Sequence, residues 1–221
     1  GGAKSVDDLQ TAWLGKPGPR YQTDRQNRKS APLFAGGRLY MQGQQRIIAL
    51  DGYNGMILWS LEIPELLRLN IPSEASNWCC DKDHLYLAVG DRCWQIEGTT
   101  GQVTVMHAAP ESDKFKRFDW GYLARADDVI LGSAVRPGSS HTKFWGGEYW
   151  FDQKGGVHTH QICGDELFAL DKASGRRLWT YGEGMVWNAS ITVGDGRVYF
   201  ITSKNKEAAS HQTGRVPTGD L

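Results

Sequence analysis

The sequence predicts an all-β protein assembled from a repeat, and three observations point there. The 221 residues include 27 Gly and 8 Pro, so tight turns are frequent and few stretches of a dozen residues lack a helix breaker. Nine Trp supply large aromatics at a steady rate along the chain. One pattern also recurs: an apolar pair, an acid, three residues, Gly, three residues and a large apolar residue. It stands as ALDGYNGMILW from Ala49 to Trp59 and as ALDKASGRRLW from Ala169 to Trp179. A looser copy, QIEGTTGQVTV from Gln95 to Val105, carries Glu97 for the Asp and Val105 for the Trp.

Local chemistry accounts for each element of the repeat. RLYMQG alternates as a strand, RIIALD follows as a second, and a turn leads into MILWSLEI. In that turn Asp51 hydrogen-bonds the backbone ahead of it, and Gly55 takes the positive φ that closes a hairpin. Asp171 with Gly175, and Glu97 with Gly101, repeat the arrangement. A second pattern precedes the three hairpins, at Leu39, Leu85 and Val129, and recurs at Val198, these positions being 46, 44 and 69 residues apart. A period of about 45 residues with three or four strands and no helix is that of a β-propeller blade. The long interval then holds an insertion of about 25 residues between Arg136 and Cys163. The expectation is a partial propeller of about four blades, near 37–80, 81–125, 126–190 with insertion 136–163, and 194–221, the last truncated. Residues 1–30 show no alternation and form a lead-in. A β-sandwich with coincidentally similar turns is the competing architecture. Blades bury their faces against neighbours, so the remaining blades of the same parent protein are expected partners.

Composition removes several function classes. The 25 Lys and Arg balance 25 Asp and Glu, which speaks against nucleic acid or an anionic membrane surface as partner. No window approaches the ~20 apolar residues of a membrane span. GxSxG, HExxH and phosphate-loop motifs are missing from the sequence. Asp127 and Asp128 are adjacent, and neighbours on a strand face opposite ways. The four cysteines, Cys79, Cys80, Cys93 and Cys163, leave three pairings open and lack CxxC spacing.

Two features of the insertion are candidates for chemistry. HTHQICGD places His158 and His160 two apart, on one face of a strand, with Cys163 as a third metal ligand; no fourth ligand has diagnostic spacing, and exposed paired histidines are the plainer account. The aromatics Phe144, Trp145, Tyr149, Trp150 and Phe151, with a turn at Gly146 and Gly147, form either a ligand or partner loop or packing for the insertion itself.

The ALDxxxGxxxW hairpin, following a GxxYxxxxxxxxxAL strand pair, resembles the repeat of pyrroloquinoline quinone (PQQ) propellers over about residues 31–204. That resemblance implies structural roles for Asp51, Gly55, Trp59, Glu97, Gly101, Asp171, Gly175 and Trp179, with the Trp packed between neighbouring blades. The GPRxxxDR lead-in and the WGGEYWFD insertion look most like large bacterial PQQ-binding-like propellers, some of planctomycete type. The same repeat builds quinoprotein alcohol dehydrogenases and a lipoprotein propeller that helps insert outer-membrane proteins. In the dehydrogenases a vicinal disulfide followed by Asp lies against PQQ, and Cys79-Cys80-Asp81 is similar. The departure is that only five residues separate Cys80 from Tyr86, where the enzymes carry a longer connection. Alternatively, Cys79 and Cys80 are reduced residues on a strand. The enzymes' catalytic Asp and calcium-binding Glu and Asn map onto no residue of this chain. The resemblance therefore implies first a binding or assembly scaffold of the bacterial periplasm or envelope, with protein partners or a small-molecule ligand of the propeller channel and no cofactor. Its alternative is a fragment of a dehydrogenase that oxidises alcohols or sugars with PQQ and calcium, Cys79 and Cys80 flanking the ring.

Overall fold

The computed structural model describes residues 30–43, 45–64, 66, 68–69, 77–111, 117–139, 141–142 and 156–221. Three four-stranded antiparallel sheets follow one another along the chain. The first holds β1 (Leu33–Ala35), β2 (Arg38–Gly43), β3 (Arg46–Asp51) and β4 (Ile57–Glu62), in that spatial order. After the short β5 (Arg68–Leu69), the second holds β6 (Trp78–Cys80), β7 (His84–Val89), β8 (Arg92–Glu97) and β9 (Val103–Ala108). The third begins with β10 (Asp119–Ala126) and β11 (Val129–Val135). The chain then leaves it through β12 (His141–Thr142), a 3-10 turn (Gly156–His158) and β13 (His160–Gly164). It returns as β14 (Glu166–Asp171) and β15 (Arg177–Tyr181), which complete the order β10-β11-β14-β15.

The repeat hairpin is built alike three times. Ala49 pairs with Trp59, Gln95 with Val105 and Ala169 with Trp179, each followed by a register shift at the next residue of the inner strand. Gly55, Gly101 and Gly175 hold φ of 73°, 75° and 68°, and their amides donate to the carbonyls of Asp51, Glu97 and Asp171 at 2.8–2.9 Å. The Asp51 carboxylate caps the turn by accepting from the Tyr53 and Asn54 amides at 2.8 and 3.0 Å, and Asp171 accepts from the Ser174 amide and hydroxyl. Glu97 is one methylene longer and does the same work through side chains, accepting from the Thr99 and Thr100 hydroxyls. Asp127, adjacent to Asp128, sits at φ 49° in the tight turn from β10 to β11.

The core is a series of slabs between consecutive sheets. One slab sets Tyr40, Ile47, Ala49 and Trp59 of the first sheet against Trp78, Leu85, Leu87 and Ile96 of the second. The next sets Tyr86, Ala88 and Cys93 against Trp120, Leu123, Ile130, Phe168 and Leu170 of the third. Alternate residues of β7 thus serve different cores, which is why LYLAV, from Leu85 to Val89, reads as a continuous apolar run: both faces are covered and all five residues are buried. A third slab backs the third sheet with Val186 and Ile191 and takes in Val193, Val198 and Phe200. Sheets stacked face to face with a core in each joint make this chain a partial β-propeller.

Two boundaries differ from the sequence expectation. Trp78–Cys80 opens the second sheet by pairing with β7 and does not close a blade ending at 80; the period was anchored on each sheet's second strand, and this hid the first. Beyond 190 the chain forms the hairpin of β17 (Thr192–Gly194) and β18 (Arg197–Tyr199), and then leaves the repeat. β16 (Met185–Trp187), β19 (Thr202–Ser203), β13 and β20 (Arg215–Pro217) form one sheet in the order β19-β16-β13-β20, with the five-residue helix α1 (Lys206–Ser210) between its last two strands in sequence. β13, at the end of the insertion, therefore shares one sheet with β19 and β20 of the last described segment. The lead-in 1–29 lies outside the described residues.

Candidate functional site

Asp81 follows β6 directly and ties the second sheet to the third. Its Oδ1 accepts the Asp83 and His84 amides at 2.9 and 2.7 Å, while Oδ2 lies 3.1 Å from Arg125 Nε and 3.4 Å from Lys172 Nζ. Arg125 comes from β10 and Lys172 from the β14–β15 turn, so a strand and a turn of one sheet clamp one carboxylate of its neighbour. Burial alone pushes the Asp81 carboxyl up, but the two amides and Lys172 outweigh it and hold the group below the usual carboxylate range.

Beside this clamp the structure places Cys79 and Cys80. Both are free thiols, and the strand sends them to opposite faces: Cys80 packs on the core between the first and second sheets, Cys79 on that between the second and third. A vicinal disulfide needs both sulfurs on one side of the backbone, so this extended strand does not build one. Burial, with Cys80 adding to it, pushes the Cys79 thiol up to about 12, and burial followed by Asp81 raises Cys80. Both stay protonated at neutral pH and are poor nucleophiles and metal ligands. The described residues thus do not fit PQQ in the way the motif implied.

The insertion is pinned at its neck. Arg136, at its start, meets Asp165, at its end, in a two-pronged pair with Nε and Nη2 each 3.0 Å from a carboxylate oxygen, and both residues are buried. The same guanidinium donates to the Ala209 carbonyl at 3.1 Å and to that of His211, which fastens the end of α1. Glu183, Met185, Lys204 and Ala209 join this pair around a cavity of about 580 Å³. Soon after Arg136 the insertion reaches back: β12 pairs with β5 in the connection between the first and second sheets.

The histidine pair does not share a strand face. His158 is exposed and ends the 3-10 turn, whereas His160 begins β13 opposite Pro217. Cys163 is fully buried with Met185, Ala208 and Val216. The 3-10 turn breaks the period of two on which a common ligand face depended. Among the described residues no group of three or more His, Cys, Asp or Glu side chains converges. Trp145, Tyr149 and Trp150, with Phe144 and Phe151, lie outside the described residues.

The Trp position behaves differently at each joint. Trp59 is buried under the second sheet, where a Cβ on Gly101 would stand 2.7 Å from its ring, and its Nε1 donates to the Gly98 carbonyl at 2.8 Å. At the next joint Val105 is 38% exposed, and Gly175 sits instead over His107, whose Nδ1 would be 2.8 Å from such a Cβ. Trp179 is 39% exposed. His107 and the Arg136–Asp165 pair were missed in the sequence: His107 stands two residues past the patterned position, and the ion pair spans 29 residues with no motif to signal it.

Neither a protein-family profile nor a curated protein matches the sequence. Among solved structures, the chain is similar to the quinohemoprotein alcohol dehydrogenase ADHIIG from Pseudomonas putida HK5, at 18% identity over 73% of this chain and 22% of that one, with a TM-score of 0.46. It is also similar to BamB from Moraxella catarrhalis, at 15% identity over 76% and 44% of the two chains and a TM-score of 0.45. A europium-containing methanol dehydrogenase shares 16% identity over 77% and 36%, with a TM-score of 0.47. The chain spans less than half the length of each of these structures.

Proposed function

We propose that this chain is the propeller part of a binding or assembly scaffold in the bacterial envelope, with the 136–163 insertion as its partner-facing element. One observation carries the proposal. The insertion is anchored at three places: the Arg136–Asp165 neck, the pairing of β13 with β16 and β20, and the return of β12 to β5. Loops held on a rigid framework present side chains at low entropic cost on binding, and the aromatics Trp145, Tyr149 and Trp150 belong to this segment. Further blades of the same repeat are proposed to cover Trp179, as the second sheet covers Trp59. The envelope placement rests on the family resemblance alone. A PQQ- and calcium-dependent dehydrogenase is the weaker alternative, because Cys79 and Cys80 face apart.

Two measurements separate the alternatives. Calorimetric titration of PQQ with calcium into the complete protein is expected to give no saturable heat at high micromolar cofactor; a micromolar site would overturn the scaffold in favour of the dehydrogenase. Replacement of residues 143–155 by a short Gly-Ser linker is expected to abolish partner co-purification from envelope extracts while leaving the thermal midpoint within a few degrees. Unchanged partner recovery would remove the insertion from its proposed role.

A further inference from the structure

Two of the three repeat hairpins, those of Gly101 and Gly175, present the same glycine to the sheet before them, yet the seats differ in kind. Gly101 rests on Trp59, an uncharged ring whose N–H is satisfied by the Gly98 carbonyl. Gly175 rests on His107, which is 5% exposed and whose Nε2 is buried without a hydrogen-bond partner. An imidazole in such a place holds the joint only while neutral. Protonation puts a charge into a dry seam, where desolvation is costly unless a counter-charge is at hand.

The surrounding groups supply none. Across the ladder His107 faces Cys93, whose thiol burial raises well above its ordinary value. In the turn above, the Asp171 carboxylate is taken by Ser174, Lys172 points to Asp81, and Arg176 is exposed. Beyond β9, Asp91 lies near Arg92 and Arg117, and on β10 Asp119 accepts the Gly138 amide. Burial is the sole cause acting on His107, and it lowers the ring's pKa. We propose that His107 is a proton-sensitive seal: acidification below the ordinary histidine range loosens the joint between the second and third sheets and leaves the Trp59 joint closed.

This goes beyond the scaffold proposal and does not depend on it. The Asp81 clamp at the same joint does not mask the effect. Asp81 stays ionised through that range, and the other imidazole near this joint, His84, has its Nδ1 3.8 Å from that carboxylate, so it faces an acid where His107 faces none. Opening that takes up one proton shifts its equilibrium about tenfold per pH unit between the open-state and closed-state pKa values.

Cysteine accessibility reads the two cores separately, because Cys93 is buried in the joint sealed by His107 and Cys163 in the insertion's own core. The complete protein is labelled with 4,4′-dithiodipyridine, which reacts in acid, from pH 7.5 to 5, and the modified cysteines are mapped by mass spectrometry against unfolded chain. Labelling of Cys93 is expected to rise below about pH 6.5 by about tenfold per pH unit, with Cys163 unchanged and the rise absent in His107→Phe. A pH-independent Cys93, a parallel rise at Cys163, or an unchanged rise in His107→Phe overturns the seal. If His107→Phe does not fold, His107→Gln serves, and NMR titration of the wild-type ring adds a direct measure. His107 is expected to titrate below the ordinary histidine value of about 6.5; a midpoint at or above that value overturns the proposal.

Discussion

Gly37 and Gly101 share a φ of 75°, but their surroundings differ. A Cβ on Gly37 meets nothing within 4 Å, while one on Gly101 lands 2.7 Å from the Trp59 ring. Gly37→Ala is expected to cost only the left-handed penalty of about 1–2 kcal/mol. Gly101→Ala adds displacement of a buried indole and its hydrogen bond, for about 3 kcal/mol or more. Urea unfolding of the two variants checks this; equal costs would mean that Gly101 is needed for its backbone alone. Asp51, Gly55 and their counterparts were legible in the sequence because a hairpin turn is decided within five residues. His107 was not, because its role is set by the approach of another sheet, and Val105 stands where the pattern looks for the seat.

At the scale of elements, the insertion shows what local pattern leaves out. Its period of strands was legible as a gap in the repeat, but the partners of β13 are β16 and β20, which no motif links to it. The lock is Arg136 with Asp165. Arg136→Met is expected to cost about 3–5 kcal/mol, because it strands a buried carboxylate, and to free the end of α1 by removing two donors to its last carbonyls. Arg136→Met combined with Asp165→Leu is expected to recover much of that loss, as matched apolar replacements of buried pairs do. Limited proteolysis near 205–213 together with urea midpoints tests both statements, and a single variant as stable as the wild type would remove the neck from its anchoring role. The adjacent cysteines make the converse point: Cys79-Cys80-Asp81 was legible as a motif, yet strand pairing at Cys79 with Tyr86 and Cys80 with Leu85 sends the two thiols into different cores.

For the whole molecule, acid is expected to act in two stages. A histidine whose pKa is depressed in the folded state contributes nothing above its unfolded value and destabilises as pH falls below it, so His107 lowers stability from about pH 6.5 downward. A carboxylate with a depressed pKa stabilises above its unfolded value and loses that contribution as pH falls through its folded one; Asp81 therefore acts later, from below about pH 4. Thermal midpoints measured from pH 8 to 2 are expected to fall in two steps, with His107→Phe removing the first and Asp81→Asn shrinking the second. One step unaffected by either variant would assign acid sensitivity elsewhere. The sheet-by-sheet architecture was legible from the 45-residue spacing; the chemistry that fastens each joint was not, since it belongs to pairs of sheets.

Because the second and third sheets each give one face to the core behind and the other to the core ahead, a duplicated repeat arrives with both mating surfaces already made. Copy number can then drift without redesign of any interior, while each seam diverges alone: one keeps an indole, the next takes an imidazole and an ionic clamp. Such a protein acquires distinct behaviour at its seams by substitution on a single face, with the blades themselves left as they were.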